Sequence, residues 1–194
     1  INYFLIVVGV LIFHAVITYS LLLTSLAKIN PFIFFSKMRK AIIFAFSTSS
    51  SSATMPVTLK IVEEKLGVDK SVSSFCIPLG TTINMDGTAI MQGVATVFIA
   101  QVYQVDLSMM EYLMVIITAT LASIGTAGVP GVGLIMLAMV LQQVGLPVEG
   151  IALIIGVDRL LDMLRTAVNV SGDATISCIV ANSENQLSRK DFIS

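Results

Sequence analysis

Apolar runs broken by short polar tips set the pattern of this chain. Residues 1–27 are mostly apolar and long enough to cross a bilayer as one helix, with His14 set inside the run. A lone histidine there is more often packed, or held at the lipid interface, than used as a proton relay. Next, the run AIIFAF (41–46) leads into STSSSSATMP (47–56), and a short helical stretch, 57–66, follows. Serine runs usually mark flexible linkers. Here both flanks are apolar and short, each enough for about half a bilayer. A re-entrant helical hairpin with a polar tip over 28–70 fits better, because irregular backbone at membrane depth is tolerated only against protein or a water-filled cavity.

The segment 71–105 reads as a membrane helix interrupted by Gly80-Thr81-Thr82-Ile83-Asn84-Met85-Asp86-Gly87-Thr88. Asp-Gly alone would suit a hairpin turn. The apolar sequence on both sides instead predicts a helix that unwinds at mid-membrane, frees carbonyls, and turns its acid to a cavity. Segment 106–146 repeats the hairpin pattern: apolar arms 112–122 and 132–144 meet at SIGTAGVPG (123–131). Gly125, Gly128, Gly131 and Gly133 make that tip thin and able to move. The stretch 156–181 predicts one long helix inside a final segment, 147–182. On it Asp158, Asp162, Arg165, Asn169 and Asp173 fall at i, i+4, i+7, i+11 and i+15, one stripe less than about a quarter-turn wide. Its flanks are too apolar for an ordinary solvated face. Residues 183–194 form a tail.

Two like units emerge: a small-residue tip ending in Pro56 leads to Asn84 and Asp86, and one ending at Pro130 leads to Asn169 and Asp173. Such repeats with broken helices point to a secondary transporter with its site at the midplane. Composition agrees, since 56% of residues are hydrophobic and only 12% charged. A formal net charge of −1 argues against nucleic-acid binding. Cys76 and Cys178 read as small buried hydrophobes. With no initiating Met and no signal-peptide pattern, the later part of a longer polytopic protein is expected.

Of eleven Lys and Arg, nine lie in the stretches 28–40, 60–70 and 189–190; only Arg159 and Arg165 lie elsewhere. The positive-inside rule then puts the base of the first hairpin and the C-terminus in the cytoplasm, and the base of the second hairpin outside. The hairpins enter from opposite faces, as an inverted repeat requires. The expected fold class is therefore all-α integral membrane, an inverted repeat of re-entrant hairpin plus broken or transmembrane helix.

The polar groups suggest a ligand. Helix N-termini after each tip attract carboxylates, Arg165 adds a planar bidentate partner, and Asp162 suits an ammonium. Together they describe an acidic amino acid, although Asp162 and Arg165 at i,i+3 could simply neutralise each other. Asp86, Asp173, Asn84, Asn169 and freed carbonyls are hard oxygen ligands suited to Na⁺. A buried Asp could instead carry H⁺, and the residues leave both options open.

The motifs SSSATMPVT (50–58), NMDGT (84–88), SIGTAGVPG (123–131) and DMLRTAVNVSGD (162–173) resemble those of the dicarboxylate/amino acid:cation symporters, the family of excitatory glutamate transporters and their prokaryotic homologues. The resemblance runs over essentially the whole chain, which corresponds to the family's C-terminal half. It implies that backbone of Ser50, Ser51 and Val129, with Asn169, holds a substrate α-carboxylate. It likewise implies Asp162 on the amino group and Arg165 on the side-chain carboxylate, with Thr88 and Thr166 nearby. Co-transported Na⁺ is implied at three places. The first uses carbonyls of Gly80, Asn84 and Asn169 plus the Asp173 carboxylate. The second uses carbonyls of Thr82, Ser123, Ile124 and Thr126. The third uses Asn84 and Asp86, completed by an earlier helix. The second hairpin is the implied gate, and a homotrimer in the cell membrane with elevator motion is the implied assembly.

This chain has Ser49 and Met163 where some archaeal and animal members respectively carry arginine, and it carries Arg159 beside Asp158, a feature closer to the C4-dicarboxylate branch. Asp162 still favours an amino-acid substrate, and Asp173 favours Na⁺ over H⁺. The function expected is Na⁺-coupled uptake of L-glutamate or L-aspartate, not enzyme activity. The alternatives are a C4-dicarboxylate or proton-coupled carrier and, remotely, an intramembrane aspartyl protease. That protease would need its two acids to share a proton and has no evident use for Arg165.

Overall fold

A computed structural model describes residues 1–193. Among them the chain is helical throughout, apart from loops and one isolated antiparallel bridge between Val68 and Leu187. Helix α1 (Asn2–Ala27) contains two π-helical stretches, His14–Thr18 and Leu23–Ala27, and stops at Lys28, whose φ is 56°. Then α2 (Pro31–Thr48) and α3 (Ser51–Glu64) form the first hairpin. Helices α4 (Lys70–Ile83) and α5 (Asp86–Val102) are nearly continuous across a two-residue break. Helices α6 (Met109–Ile124) and α7 (Val132–Gln143) form the second hairpin. A 3₁₀ turn (Val148–Leu153) introduces α8 (Ile155–Ser183), and a short α9 (Arg189–Ile193) closes the described chain.

Each start has a local cause. Pro31 opens α2 behind Asn30, whose side chain accepts from the Phe32 amide. Ser108 and Glu111 form a reciprocal capping box on α6. The first tip is shorter than the serine run suggested. Ser50 caps α3 by accepting from the Ala53 amide at 3.1 Å, so 51–56 are helical and only Ser49 and Ser50 make the turn. Ser49 ends α2 in the left-handed region at φ 52°. Pro56 sits inside α3, where its missing N–H leaves the Ser52 carbonyl without its helical donor.

Helix α8 is the axis. It packs against α1, α2, α3, α4 and α5. One apolar cluster, including Leu11, Ile99, Leu137 and Leu161, lies along its first half; another, including Phe34, Met38, Ile77 and Ala174, lies along its second. Polarity is inverted relative to a water-soluble domain. Asp158, Arg165, Asn169, Asp173, Thr175 and Ser177 are buried, whereas Leu5, Phe13, Leu21, Ile116, Leu121 and Ile135 face outward. That distribution suits lipid as the outer solvent along these helices, with Asp158, Arg165 and Asp173 turned inside.

The segment after α8 is tied to the base of the first hairpin. The Ser188 amide donates to the Gly67 carbonyl at 2.7 Å, and the Asp69 amide to that of Gln186 at 3.0 Å. Gly67 has φ 71°, and a Cβ there would run into the Ser188 carbonyl. Arg189 donates to the Lys28 carbonyl and Asn182 to that of Leu26, while Phe192 is buried beside the Lys37 ammonium.

Candidate functional site

The two tips touch. Ser50 Oγ donates to the Gly128 carbonyl at 2.7 Å, and the Ser52 amide donates to the same oxygen at 3.1 Å. A Cβ on Gly128 would stand 2.9 Å from Ser52 Oγ, so the contact needs a residue without a side chain. Beneath the tips lies a cavity of about 20 Å³ bordered by Ser51, Thr88, Val129, Asp162, Thr166 and Asn169. That volume holds about one water. An amino acid cannot enter until a tip moves.

Helix α8 presents Asp162, Thr166 and Asn169 to this cavity, and Asp162 is the end of an ion chain along the helix. Arg165 Nη1 donates to Asp158 Oδ1 at 2.8 Å and Nη2 to Asp162 Oδ1 at 2.9 Å. The Arg165 side chain is 1% exposed, and its Nε is buried with no partner among the described residues. Asp162 Oδ2 accepts from the Gly131 amide at 3.1 Å, at the N-terminus of α7. A carboxylate there is favoured both by the helix dipole and by the unpaired amides of the first turn. One acid thus joins the guanidinium to the second hairpin. Thr166 donates to the Asp162 carbonyl, and Thr88 is buried on the facing helix.

The helix break supplies a second set of groups. Helix α4 ends at Ile83, and Asn84 and Met85 leave helical geometry before α5 begins at Asp86. Asn84 Nδ2 donates to Asp173 Oδ1 at 2.8 Å and to the Asn169 carbonyl at 3.2 Å. Asn169 Oδ1 accepts from the Gly87 amide at 2.8 Å. Gly80 and Gly87 permit this approach: an added Cβ would lie 2.5 Å from Asp173 Oδ1 or 2.8 Å from the Arg165 carbonyl. Gly80, Asn84, Asn169 and Asp173 are therefore one constellation of hard oxygen and amide groups, fit to surround a small monovalent cation.

Asp86 points elsewhere. Its Oδ2 accepts from Tyr19 Oη at 3.0 Å and lies 3.1 Å from His14 Nε2. Tyr19 Oη also reaches the Val168 carbonyl at 3.2 Å. The π-helical turn stacks residues five apart, which brings the His14 and Tyr19 rings to 4.8 Å and aims both at one carboxylate. Of the other implied ligands, Ser123, Ile124 and Thr126 occupy the end of α6 and the second tip, where α6 contacts α4, the helix that carries Thr82 near its end. The Ser123 carbonyl already accepts from the Thr126 amide, and the Val129 amide donates to the Ala127 carbonyl at 2.8 Å. Ser51 is buried at the tip contact.

Four partners in these contacts are not evident from the sequence alone. Tyr19 lay inside an apolar run. Asp158 belongs to the polar stripe and, seven residues before Arg165, lies two turns from it, a spacing that does not by itself single out the pair. Ser52 and Gly128 meet only when two hairpins remote in sequence are folded. Arg159 was singled out and is exposed, away from the cavity.

An all-helical body with apolar outward flanks, with buried charges and a broken helix around a small closed chamber, defines an integral membrane protein by class. The chain belongs to the sodium:dicarboxylate symporter family, whose model matches residues 1–183. It is similar to excitatory amino acid transporter 1 of Homo sapiens, 48% identical over 187 residues covering 96% of this chain and 34% of that protein. It is 48% identical over 178 residues to an excitatory amino acid transporter of Caenorhabditis elegans, covering 92% of this chain and 35% of that protein. With excitatory amino acid transporter 3 of Mus musculus it shares 50% identity over 179 residues, covering 92% of this chain and 34% of that protein. The chain thus spans about a third of the length of these relatives.

Proposed function

We propose that the whole protein is a secondary symporter that couples inward Na⁺ movement to uptake of an acidic amino acid, L-glutamate or L-aspartate. The observation that carries this is the Asp158–Arg165–Asp162 chain, which ends on the Gly131 amide beneath two touching tips. In this closed arrangement Asp162 occupies both the guanidinium and the α7 N-terminus. An entering acidic amino acid replaces both contacts. Its ammonium takes Asp162, its side-chain carboxylate takes Arg165 Nη2, and Asp158 retains Nη1 and keeps the guanidinium oriented. The α-carboxylate finds amides at the tips, through Ser50, Ser51 and Val129, with Asn169 alongside. Entry breaks the Gly131–Asp162 bond, so the second hairpin is the part that opens. The names of the relatives support an acidic amino acid, and the family description supports Na⁺.

The cations sit at three places. One is framed by Gly80, Asn84, Asn169 and Asp173. Another lies between Thr82 and the carbonyls of Ser123, Ile124 and Thr126. The third is at Asn84 and Asp86. Both hairpins, 28–70 and 106–146, are re-entrant from opposite faces, around transmembrane segments 1–27, 71–105 and 147–182. The basic segments, including the tail 183–194, face the cytoplasm, which places the multi-pass protein in the cell membrane. In this reading the protein is a homotrimer assembled through segments outside this chain, and the hairpin bundle moves as a rigid elevator. A C4-dicarboxylate carrier would want a second cation where Asp162 stands. Arg159, the available neighbour, is exposed on another face of α8.

The test is radiolabelled L-aspartate uptake into proteoliposomes of the full-length protein, under an imposed Na⁺ gradient or pH gradient, with malate as competitor. Na⁺-driven uptake that malate does not block, and that Arg165→Ala abolishes, is expected. Proton-driven or malate-blocked uptake would overturn the substrate and coupling assignment.

A further inference from the structure

The first hairpin carries a charged groove that the transport chemistry does not use. It has a volume of about 340 Å³ and lies between the two arms, lined by Lys40 from α2 and by Pro56, Val57, Lys60, Ile61, Glu64 and Lys65 from α3 and its end. Lys40, Lys60 and Lys65 are exposed, and none has an ammonium partner among the described residues. Lys60 and Glu64 stand at i,i+4 but in the weaker order, with the base N-terminal, and they form no ion pair. Three cations and one acid leave the groove with an excess of positive charge beside an apolar floor of Pro56, Val57 and Ile61.

Depth gives this pattern its meaning. Lys40 lies nine residues before Ser49 and Lys60 ten after Ser50. At ~1.5 Å per residue both are about 14–15 Å from the tip along the arms. That is half of a ~30 Å hydrocarbon core. With the tip at the midplane, as the re-entrant reading above requires, Lys40 and Lys60 stand at the hydrocarbon boundary, with their ammonium groups within reach of the lipid phosphates, and Lys65 lies at headgroup depth. Pro56 and Val57, six and seven residues after Ser50, lie deeper, about 9–10 Å from the tip, where acyl chains run, while Ile61 closes the groove beside Lys60. The cytoplasmic leaflet is the one rich in anionic lipid.

We propose that this groove is a binding site for one anionic phospholipid, its phosphate held by Lys40, Lys60 and Lys65 and its acyl chain laid along Pro56 and Val57. Paired positive charge and an apolar floor at matching depths select a lipid over a soluble anion, which has no use for the floor. A lipid there spans both arms, and so ties the base of the hairpin to its environment without touching the substrate chamber.

The test is native mass spectrometry of the purified full-length protein titrated with dioleoylphosphatidylglycerol or dioleoylphosphatidylcholine, with inorganic phosphate as competitor. The parent protein should retain a phosphatidylglycerol adduct that phosphatidylcholine does not replace. Each lysine near a membrane surface contributes roughly fivefold to anionic-lipid affinity, so Lys40→Gln with Lys60→Gln and Lys65→Gln together should weaken that adduct about a hundredfold. Val57→Asp should also remove it while keeping the lysines. Adducts of equal affinity in parent and triple variant overturn the site. Full displacement by millimolar phosphate overturns the lipid assignment in favour of a free anion. Aspartate uptake by the triple variant in phosphatidylcholine vesicles should equal that of the parent in the same vesicles. A lost adduct with intact uptake therefore separates this site from the transport reading.

Discussion

Replacing Gly80 with alanine addresses the cation constellation without touching a polar group. The added Cβ would lie 2.5 Å from Asp173 Oδ1 and 2.9 Å from its Cγ, so the carboxylate must retreat by about 0.9 Å to reach ordinary contact at 3.4 Å. Asp173 is 2% exposed and is held by Asn84 Nδ2 at 2.8 Å, so the retreat strains a charge-assisted hydrogen bond in a dry site. Losing such a bond costs about 1.5–3 kcal/mol. That corresponds to roughly ten- to hundredfold in cation affinity. The expected result is a ten- to hundredfold rise in the Na⁺ concentration giving half-maximal aspartate uptake, with substrate affinity at saturating Na⁺ within about threefold of the parent. Gly93→Ala is the control. A Cβ there meets nothing within 4 Å, and a helix-interior Gly→Ala change favours the helix by roughly 0.5–1 kcal/mol. If both variants show the parent's Na⁺ dependence, Asp173 is not a cation ligand and the constellation is only structural.

Other expectations follow from single contacts. Gly128→Ala pushes against Ser52 Oγ at 2.9 Å and the Ser52 amide at 3.2 Å, so the tips should close poorly. Equilibrium aspartate binding should weaken about tenfold with Na⁺ dependence retained, and an unchanged Kd would show that the tips need not meet. Tyr19→Phe removes the hydroxyl that serves Asp86 and the Val168 carbonyl. It should lower stability by about 1 kcal/mol, read as a Tm shift of roughly 2–4 °C in detergent, and an unmoved Tm would contradict the contact. At the hairpin base, hydrogen bonds from the Ser71 hydroxyl and amide hold Asp69 below its ordinary value of 3.8. A carboxylate whose folded pKa is depressed contributes stability that is complete above the unfolded value and is lost as pH falls through the folded one. Amide-exchange protection of Ser188 should stay level from neutral pH to about 4 and drop below it; a drop between pH 7 and 5 would contradict this.

Local patterns were legible in the sequence. The 3.6-residue spacing of Asp158, Asp162, Arg165, Asn169 and Asp173 put them on one face of one helix, and α8 is a single helix that buries all of them except the half-buried Asp162. Asn84 next to Met85-Asp86-Gly87 marked the helix break because poor helix formers cluster there. The first tip differs from its expected extent for a local reason too: a serine run looks irregular, but one serine in it caps the helix that the others begin. The remainder depends on distance in sequence. His14 and Tyr19 reach Asp86 through a π turn, which hydropathy does not register, and across 72 and 67 residues. Gly128 gives no sign of Ser50, 78 residues away, until both hairpins fold. Charge counting found the lysines of the first hairpin as a topological signal, but only the groove between its arms makes them a cluster.

The clasp between Gly67, Asp69 and the segment 186–188 makes that segment a rigid extension of the first hairpin rather than a free tail. Asn185 is exposed immediately before the clasp, and its backbone is fixed in a left-handed turn at φ 56°. A spin label or fluorophore placed there would travel with the hairpin base as a reporter bolted to its frame. In the trimer and elevator motion proposed above, distances between such labels on neighbouring subunits would record how far the bundle moves across the bilayer, with little blurring from the linker and no reporter inside the transport path.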